Sequence, residues 1–83
     1  MTKRTLGTYD HEADAAYFPI APRIRKGQAV RQDVHEIEGA GEIVLDFDKK
    51  GRLLGVEVLG ARSLLKPGTL ARAKRIGSML VRW

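Results

Sequence analysis

Carboxylates crowd one short segment near the start of the sequence. Asp10, Glu12 and Asp14 surround His11, and clustered oxygen ligands of this kind are what a hard metal ion requires. A calcium loop that began at Asp10 would need a bidentate acid at its twelfth position, which is Ala21. The alternative is that the carboxylates accept hydrogen bonds from the backbone of their own turn. We favour the turn and predict no metal site.

Nucleophilic catalysis has little support in the sequence. The chain contains no cysteine, which excludes disulfides, cysteine-ligated zinc and a thiol nucleophile. Its serines are Ser63 and Ser78, its histidines are His11 and His35, and no motif joins the two kinds of residue. A glycine-rich phosphate-binding loop is also missing. We predict that the protein is not an enzyme and has neither catalytic residues nor a cofactor.

The positive charge of the chain is concentrated at its C-terminal end. The 83 residues include 15 Lys or Arg and 10 Asp or Glu, a net charge of +5. Residues 1–61 sum to −1, whereas residues 62–83 carry six basic residues and no acidic one. Such a tail suits an anionic partner, whether nucleic acid, an acidic protein surface or anionic lipid, and the alternative is a solvated helix face. The candidate anion-binding residues are Arg72, Lys74, Arg75 and Arg82.

The elements that must position these residues are short strands. Residues 5–9, 15–20 and 28–37 have strand-like composition, and we expect the first of them at a sheet edge. The strongest signal is a hairpin of residues 42–47 and 52–59. Between them lies Asp48-Lys49-Lys50-Gly51, which is typical of a type I turn with Gly51 in the left-handed conformation.

The turn sets the register of this hairpin, and the register decides which side chains share a face. With Asp48 opposite Arg52, Glu57 lies opposite Ile43 and beside Leu45. We therefore predict a carboxylate on an apolar face, paired with an arginine or with backbone donors at a subunit boundary, or else a catalytic acid. The opposite face is predicted to carry Val44, Leu54, Val56 and Val58. Both faces are apolar enough to be covered, one by a helix and the other by a second subunit.

Residues 69–83 have the pattern of an amphipathic basic helix, with Thr69 as its N-cap. Its apolar residues recur every three or four positions, and basic residues lie opposite. We predict that the helix packs on the sheet, and docking on another molecule is the alternative. The apolar positions are Leu70, Ala73, Ile76, Leu80 and Trp83.

Two motifs carry a resemblance to a known family. The first is Tyr9-Asp10-x-Glu12-Ala13-Asp14-Ala15-x-Tyr17, and the second is Ile43-Val44-Leu45-Asp46-Phe47-Asp48-x-x-Gly51-Arg52-Leu53-x-Gly55-Val56-Glu57-Val58-Leu59. Over roughly residues 9–65 the chain resembles the short bacterial and archaeal domain-of-unknown-function family 2283. It departs from that pattern at Ala16, where the family usually has a larger aliphatic residue, and at Pro19. The resemblance implies a small α+β fold on an antiparallel meander, and it implies no activity.

We therefore predict one α+β domain over residues 1–83, a β-meander of about four strands with the C-terminal helix packed on it. Its predicted role is that of a cytoplasmic homodimer or protein-interaction module, because a core of this size gains stability from a partner. The alternative is a nucleic-acid-binding accessory protein that uses the basic helix. No uncharged run is long enough to span a membrane. The candidate interaction surface comprises Val44, Leu54, Val56, Val58, Leu70, Ile76, Leu80 and Trp83.

Overall fold

A mixed sheet of six strands and two short helices make up the fold in a computed structural model, which describes residues 7–76. The strands are β1 (Thr8–Asp10), β2 (Ala15–Pro19), β3 (Arg31–Ile37), β4 (Gly41–Phe47), β5 (Leu53–Leu59) and β6 (Lys74–Ile76). The helices are α1 (Ala61–Leu64) and α2 (Pro67–Ala71). The strand order is β3-β4-β5-β2-β1-β6. All neighbours are antiparallel except β1 and β6, which are parallel.

The sheet is larger than the predicted meander of about four strands, and that prediction is wrong. Strands β3, β4 and β5 do form a meander, but the β1–β2 hairpin joins it through β2 and β5. The segment between β2 and β3 explains this order. The amides of Ile20 and Ala21 donate to the carbonyl of Leu54, and the amide of Val30 donates to that of Phe47. The chain thus passes β5 and β4 and forms β3 on the far side.

The turn between β4 and β5 is the one that the sequence predicts. Gly51 has a φ of 79°, a left-handed conformation that glycine adopts without a steric cost. The amide of Asp48 donates to the carbonyl of Arg52, and the amide of Gly51 donates to the carbonyl of Asp48. Asp48 Oδ1 accepts from the amides of Lys50 and Arg52, each at 2.9 Å. The Arg52 Nε atom lies 3.1 Å from Asp48 Oδ2.

A β-bulge shifts the register beyond this turn. Phe47 still faces Leu53, as the sequence predicts, but Asp46 faces Gly55. Leu54 therefore has no partner in the β4–β5 ladder. One extra residue in a strand moves every later side chain to the other face.

The bulge overturns the predicted faces of the hairpin. Ile43 faces Val58 and not Glu57, while Glu57 faces Val44. The prediction that Glu57 lies among Ile43 and Leu45 is therefore wrong. The shift separates apolar from acidic side chains, which the unbroken register would have mixed.

The core lies on the face that both helices cover. Tyr9, Ala16 and Val58 form one cross-strand row, and they are buried together with Ala61 and Ala73. We call this side of the sheet the helix-covered face. Packed against it are Phe18, Val56, Leu64, Leu65 and Leu70. The other side, which carries Tyr17, Val44 and Glu57 in one row, is the helix-free face.

The predicted helix over residues 69–83 is wrong within the described part of the chain. Helix α2 begins earlier, at Pro67, with Lys66 as its N-cap, so Thr69 lies inside it. The chain then becomes extended, and the amide of Lys74 donates to the carbonyl of Gly7 as β6 pairs with β1. A short helix is marginal in water, whereas the free side of β1 offers backbone partners. Residues 77–83 lie outside the described part.

Asp14 ties the first turn to the junction of β5 and α1. Its φ of 55° is left-handed, a conformation that Asp and Asn tolerate better than most residues. Its carbonyl accepts from the amides of Gly60 and Ala61, both at 3.0 Å. Its Oδ1 atom accepts from the Tyr9 hydroxyl at 2.9 Å and from the Arg62 amide at 3.0 Å. One residue thus satisfies four donors from two segments, β1 and residues 60–62.

Substitution of Asp14 tests this junction. We expect Asp14→Ala to lower the free energy of unfolding by about 2–4 kcal/mol, because it strains the left-handed backbone and leaves two donors unsatisfied. Asp14→Asn should cost less than about 1.5 kcal/mol, since Asn keeps a carbonyl acceptor and tolerates the conformation. Urea unfolding followed by circular dichroism measures both, with the exposed Glu38→Ala as control. Equal losses for Ala and Asn would contradict the assignment.

The carboxylate of Asp48 gives the hairpin a pH dependence. Its pKa is lowered, first by the hydrogen bond from the Arg52 amide and then by the Lys50 amide and the Arg52 side chain. A lowered pKa in the folded state stabilises the fold above the unfolded pKa of about 3.9, and the gain disappears as the pH falls through the folded pKa. We expect Asp48→Asn to reduce stability at pH 7, and the difference from the parent protein to shrink as the pH falls below about 3.9 toward 2. A constant difference across that range would contradict this origin.

Candidate interaction site

The acidic turn binds its own backbone, as the sequence analysis favoured. Asp10 Oδ1 accepts from the amides of Glu12 and Ala13 at 3.1 and 3.2 Å. Asp14 holds the Tyr9 hydroxyl and the Arg62 amide. Within residues 7–76 no group of three or more acidic or histidine side chains is arranged to hold a metal ion. Through the hydrogen bonds of Asp10 and Asp14, the turn is a structural part of the sheet.

A polar cluster occupies the centre of the helix-free face. Tyr17 lies against Gly55, where the hydroxyl and the ring fill the space that a Cβ atom would take. Asp46, the cross-strand partner of Gly55, is buried. Its Oδ1 atom accepts from Gln32 Nε2 at 2.8 Å. Glu57 is half-buried and lies between Tyr17 and Val44 in the ladder.

Burial and two nearby carboxylates keep the Tyr17 hydroxyl protonated. Its pKa is raised, mainly by burial and then by the negative charges of Asp46 and Glu57. At neutral pH the phenol is therefore a hydrogen-bond donor among carboxylate acceptors. The Tyr17 hydroxyl beside these carboxylates can stabilise the surface or recognise a polar group. The described cluster contains no serine or histidine that would act as a nucleophile or base.

The structure places most of the predicted interaction residues in the interior. Val58 is buried in the core, and Val56 and Leu70 pack against it. Leu54 is buried at the bulge and Val44 on the helix-free face. Ile76 is 40% exposed on β6. Leu80 and Trp83 lie outside the described residues.

Sequence reasoning overlooked the edge strand β3. It hydrogen-bonds to β4 along one side, and no other strand of residues 7–76 pairs with its second side. Val34 is 56% exposed in the middle of β3, and Ile37 is 38% exposed at its end. The strand is recognisable from the alternation of residues 28–37, but its edge position is set by the order of the sheet.

The charged side chains of β3 form an ordered pattern. Arg31 Nε lies 3.3 Å from Asp33 Oδ1, and the Arg31 guanidinium lies 4.2 Å from the centre of the Phe47 ring. A cation over an aromatic face is stabilised by the ring quadrupole. His35 is exposed and follows Arg31 and Asp33 on the same face, because alternate residues of a strand share a face.

The predicted anion-binding residues do not form one stripe. Arg72, Lys74 and Arg75 are all exposed, but Arg72 is the C-cap of α2. Lys74 pairs with Thr8 and Arg75 with Tyr9, so their side chains point to opposite faces of the sheet. Arg82 lies outside the described residues.

A second basic group lies in the loop before β3. Arg23, Arg25 and Lys26 line a shallow concavity together with Gly27 and Gln28. The loop is closed by the amide of Arg25, which donates to Gln28 Oε1 at 2.9 Å, and by the amide of Gln28, which donates to the Arg25 carbonyl. Two of the three cations, Arg25 and Lys26, therefore lie on a hydrogen-bonded turn, and Arg23 precedes it.

Neither helix within residues 7–76 has the length and apolar character that crossing a membrane requires.

Comparison with known proteins identifies a family and no characterised relative. No curated protein and no solved structure matches the chain. A family model described as Protein of unknown function (DUF2283) matches residues 8–62, a range that runs from β1 into α1. It confirms the resemblance carried by the two motifs, and the chain therefore belongs to this family of proteins of unknown function.

Proposed function

We propose that the protein is a small non-enzymatic assembly module that forms a homodimer by joining β3 of one copy to β3 of another. The observation that carries the proposal is the position of β3 at the sheet edge, where only β4 pairs with it among residues 7–76. An edge strand offers N–H and C=O groups to another strand, and strand addition is a common mode of recognition.

The exposed apolar side chains of β3 support the same proposal. Val34 lies at the middle of the strand and is more than half exposed. A second strand alongside β3 would cover it and Ile37, and burial of apolar surface contributes roughly 25 cal/mol per Å². Natural edge strands are often protected by a bulge, a proline or charged side chains. Strand β3 contains no proline, and its charges are of both signs, so that a symmetric partner strand can pair them.

The small core gives dimerisation a physical advantage. Its buried members are Tyr9, Ala16, Val58, Ala61 and Ala73, of which three are alanines. A domain of this size buries a modest share of its surface, so apolar area covered by a partner adds appreciably to stability. The proposal includes a cytoplasmic location, which suits a chain without cysteine.

A charge on Val34 tests the homodimer. We expect the parent protein to dimerise with a dissociation constant between about 1 and 500 µM, which corresponds to roughly 4.5 to 8 kcal/mol of binding free energy. Val34→Lys should make it monomeric, because the substitution places a desolvated charge on the shared edge. Analytical ultracentrifugation measures the mass. Ile20→Lys is the matched control, since Ile20 is 58% exposed and hydrogen-bonds beside β5. A parent protein that stays monomeric throughout this range rules out the proposal.

Nucleic-acid binding is a second candidate function. The concavity lined by Arg23, Arg25 and Lys26 favours it, because several cations at fixed positions attract a phosphate backbone. The described part of the C-terminal basic segment favours it less, since Lys74 and Arg75 point to opposite faces.

Charge removal in the loop tests this second function. We expect Arg23→Gln, Arg25→Gln and Lys26→Gln together to weaken binding to single-stranded and duplex DNA and RNA at low salt, and to reduce its salt dependence. Lys49→Gln with Lys50→Gln is the control, since both residues are exposed in the β4–β5 turn. Fluorescence anisotropy across a salt series gives the affinities. Equal losses per charge removed in the two variants would show unspecific attraction, and no binding by the parent protein would exclude the function.

A further inference from the structure

The charge pattern of β3 is complementary to itself. We infer that two copies pair about a two-fold axis through Val34, so that Asp33 of each copy faces the partner's His35. This inference rests on the proposed homodimer and assigns its register and the residues that specify it.

Symmetry limits the registers that two β3 strands can adopt. Residues directly opposite each other in an antiparallel pair point to the same face of the sheet. A two-fold axis perpendicular to the sheet relates identical antiparallel strands and keeps every residue on its own face. A residue therefore pairs only with residues at even separations, and the axis passes through a residue. The candidates near the middle of the strand are Asp33, Val34 and His35.

The length of β3 favours Val34. The strand runs from Arg31 to Ile37, and Val34 is its central residue, so an axis there pairs all seven residues. An axis through Asp33 or His35 shortens the overlap. Each of these axes also places two identical polar side chains directly opposite each other. For Asp33 they are two carboxylates, and opposed like charges destabilise a sheet.

The Val34 register opposes no like charges and brings complementary side chains together in three of its four kinds of pair. Val34 meets the partner's Val34, an apolar pair on the helix-free face. On the helix-covered face, Asp33 meets the partner's His35, and Arg31 meets the partner's Ile37. Gln32 meets the partner's Glu36, an amide opposite a carboxylate. Opposite-charge and apolar cross-strand pairs each stabilise a sheet, and this register contains no like-charge pair.

The surroundings of His35 leave the carboxylate of Asp33 as its charged neighbour. On its own face within β3, His35 lies between Asp33 and Ile37, and β4 places Ile43 opposite it. Leu45 and Gly41 are the next β4 residues of that face. Asp33 Oδ1 lies 3.3 Å from Arg31 Nε, and a carboxylate has further acceptor sites for a second donor. A protonated His35 would complete an alternation of charge across the interface, from Arg31 through Asp33 to the partner's His35.

Single cysteines test the register directly, since the chain has none of its own. Val34→Cys places two thiols opposite each other on the axis, within the Cα separation of about 4.4–6.8 Å that a disulfide needs. Glu36→Cys and Gln32→Cys place each thiol about four residues, or roughly 13 Å, from its own copy in the partner. We expect rapid oxidative dimerisation of Val34→Cys, little of Gln32→Cys or Glu36→Cys alone, and efficient crosslinking when those two variants are mixed.

The dissociation constant gives a second readout that does not depend on crosslinking. Histidine gains its charge as the pH falls from about 8 to 5, and the two Asp33–His35 pairs then strengthen. Exposed ion pairs contribute little individually, so we expect the dimer to tighten only about 2- to 30-fold between pH 8 and pH 5.5. His35→Gln should remove most of this change and leave dimerisation at pH 8 intact.

The outcomes separate the register from the homodimer itself. Crosslinking of Glu36→Cys or Gln32→Cys alone, faster than that of Val34→Cys, overturns the register and keeps an interface at β3. A dimer that crosslinks in none of these tests overturns the register. Crosslinking of Val34→Cys mixed with Gln32→Cys or with Glu36→Cys then assigns an axis through Asp33 or His35, and failure of those mixtures as well overturns the use of β3. A dimer with the expected crosslinks whose affinity does not change with pH overturns the Asp33–His35 pairing. A protein that is monomeric at every pH overturns the proposed function.

Discussion

One extra residue in β5 determines how the two faces of this sheet differ. The bulge leaves Leu54 outside the β4–β5 ladder and turns Val58 toward Ile43. Without it, Glu57 would project among the apolar residues that pack against the helices, and an ionised carboxylate buried there would cost several kcal/mol. With the bulge, apolar side chains of β5 pack against α1 and α2, and Glu57, the acidic residue of β5, lies on the helix-free face. Helix packing, the core and the Tyr17 cluster all follow from this shift.

A second constraint holds the small sheet together at its other end. Asp14 accepts hydrogen bonds from the β1–β2 hairpin and from the start of α1. These contacts fix the position of α1 against the core, where the small side chains of Ala16 and Ala61 are buried and allow the helix to approach the sheet closely. Asp14, part of the acidic motif that first suggested metal chemistry, therefore connects the sheet to α1 by hydrogen bonds.

The proposed homodimer follows from the order of the strands. Because β2 pairs with β5, the meander of β3, β4 and β5 ends at an edge, and Val34 is exposed there. In a two-fold dimer the sheet would continue across the axis, with both pairs of helices on one side and both helix-free faces on the other. The polar cluster around Tyr17 would then be present twice on a single broad surface.

The sequence by itself determined the local features of the protein. Three features were predictable from it: the β4–β5 turn with Asp48 and Gly51, the acidic turn that binds its own backbone, and membership of the family. Each depends on neighbouring residues or on a linear motif. Tertiary structure alone decided the bulge, the faces, the edge position of β3 and the conversion of residues 74–76 from predicted helix to strand. Those features depend on which strands meet. A pairing energy shared between distant segments outweighs the weak local preference of either one.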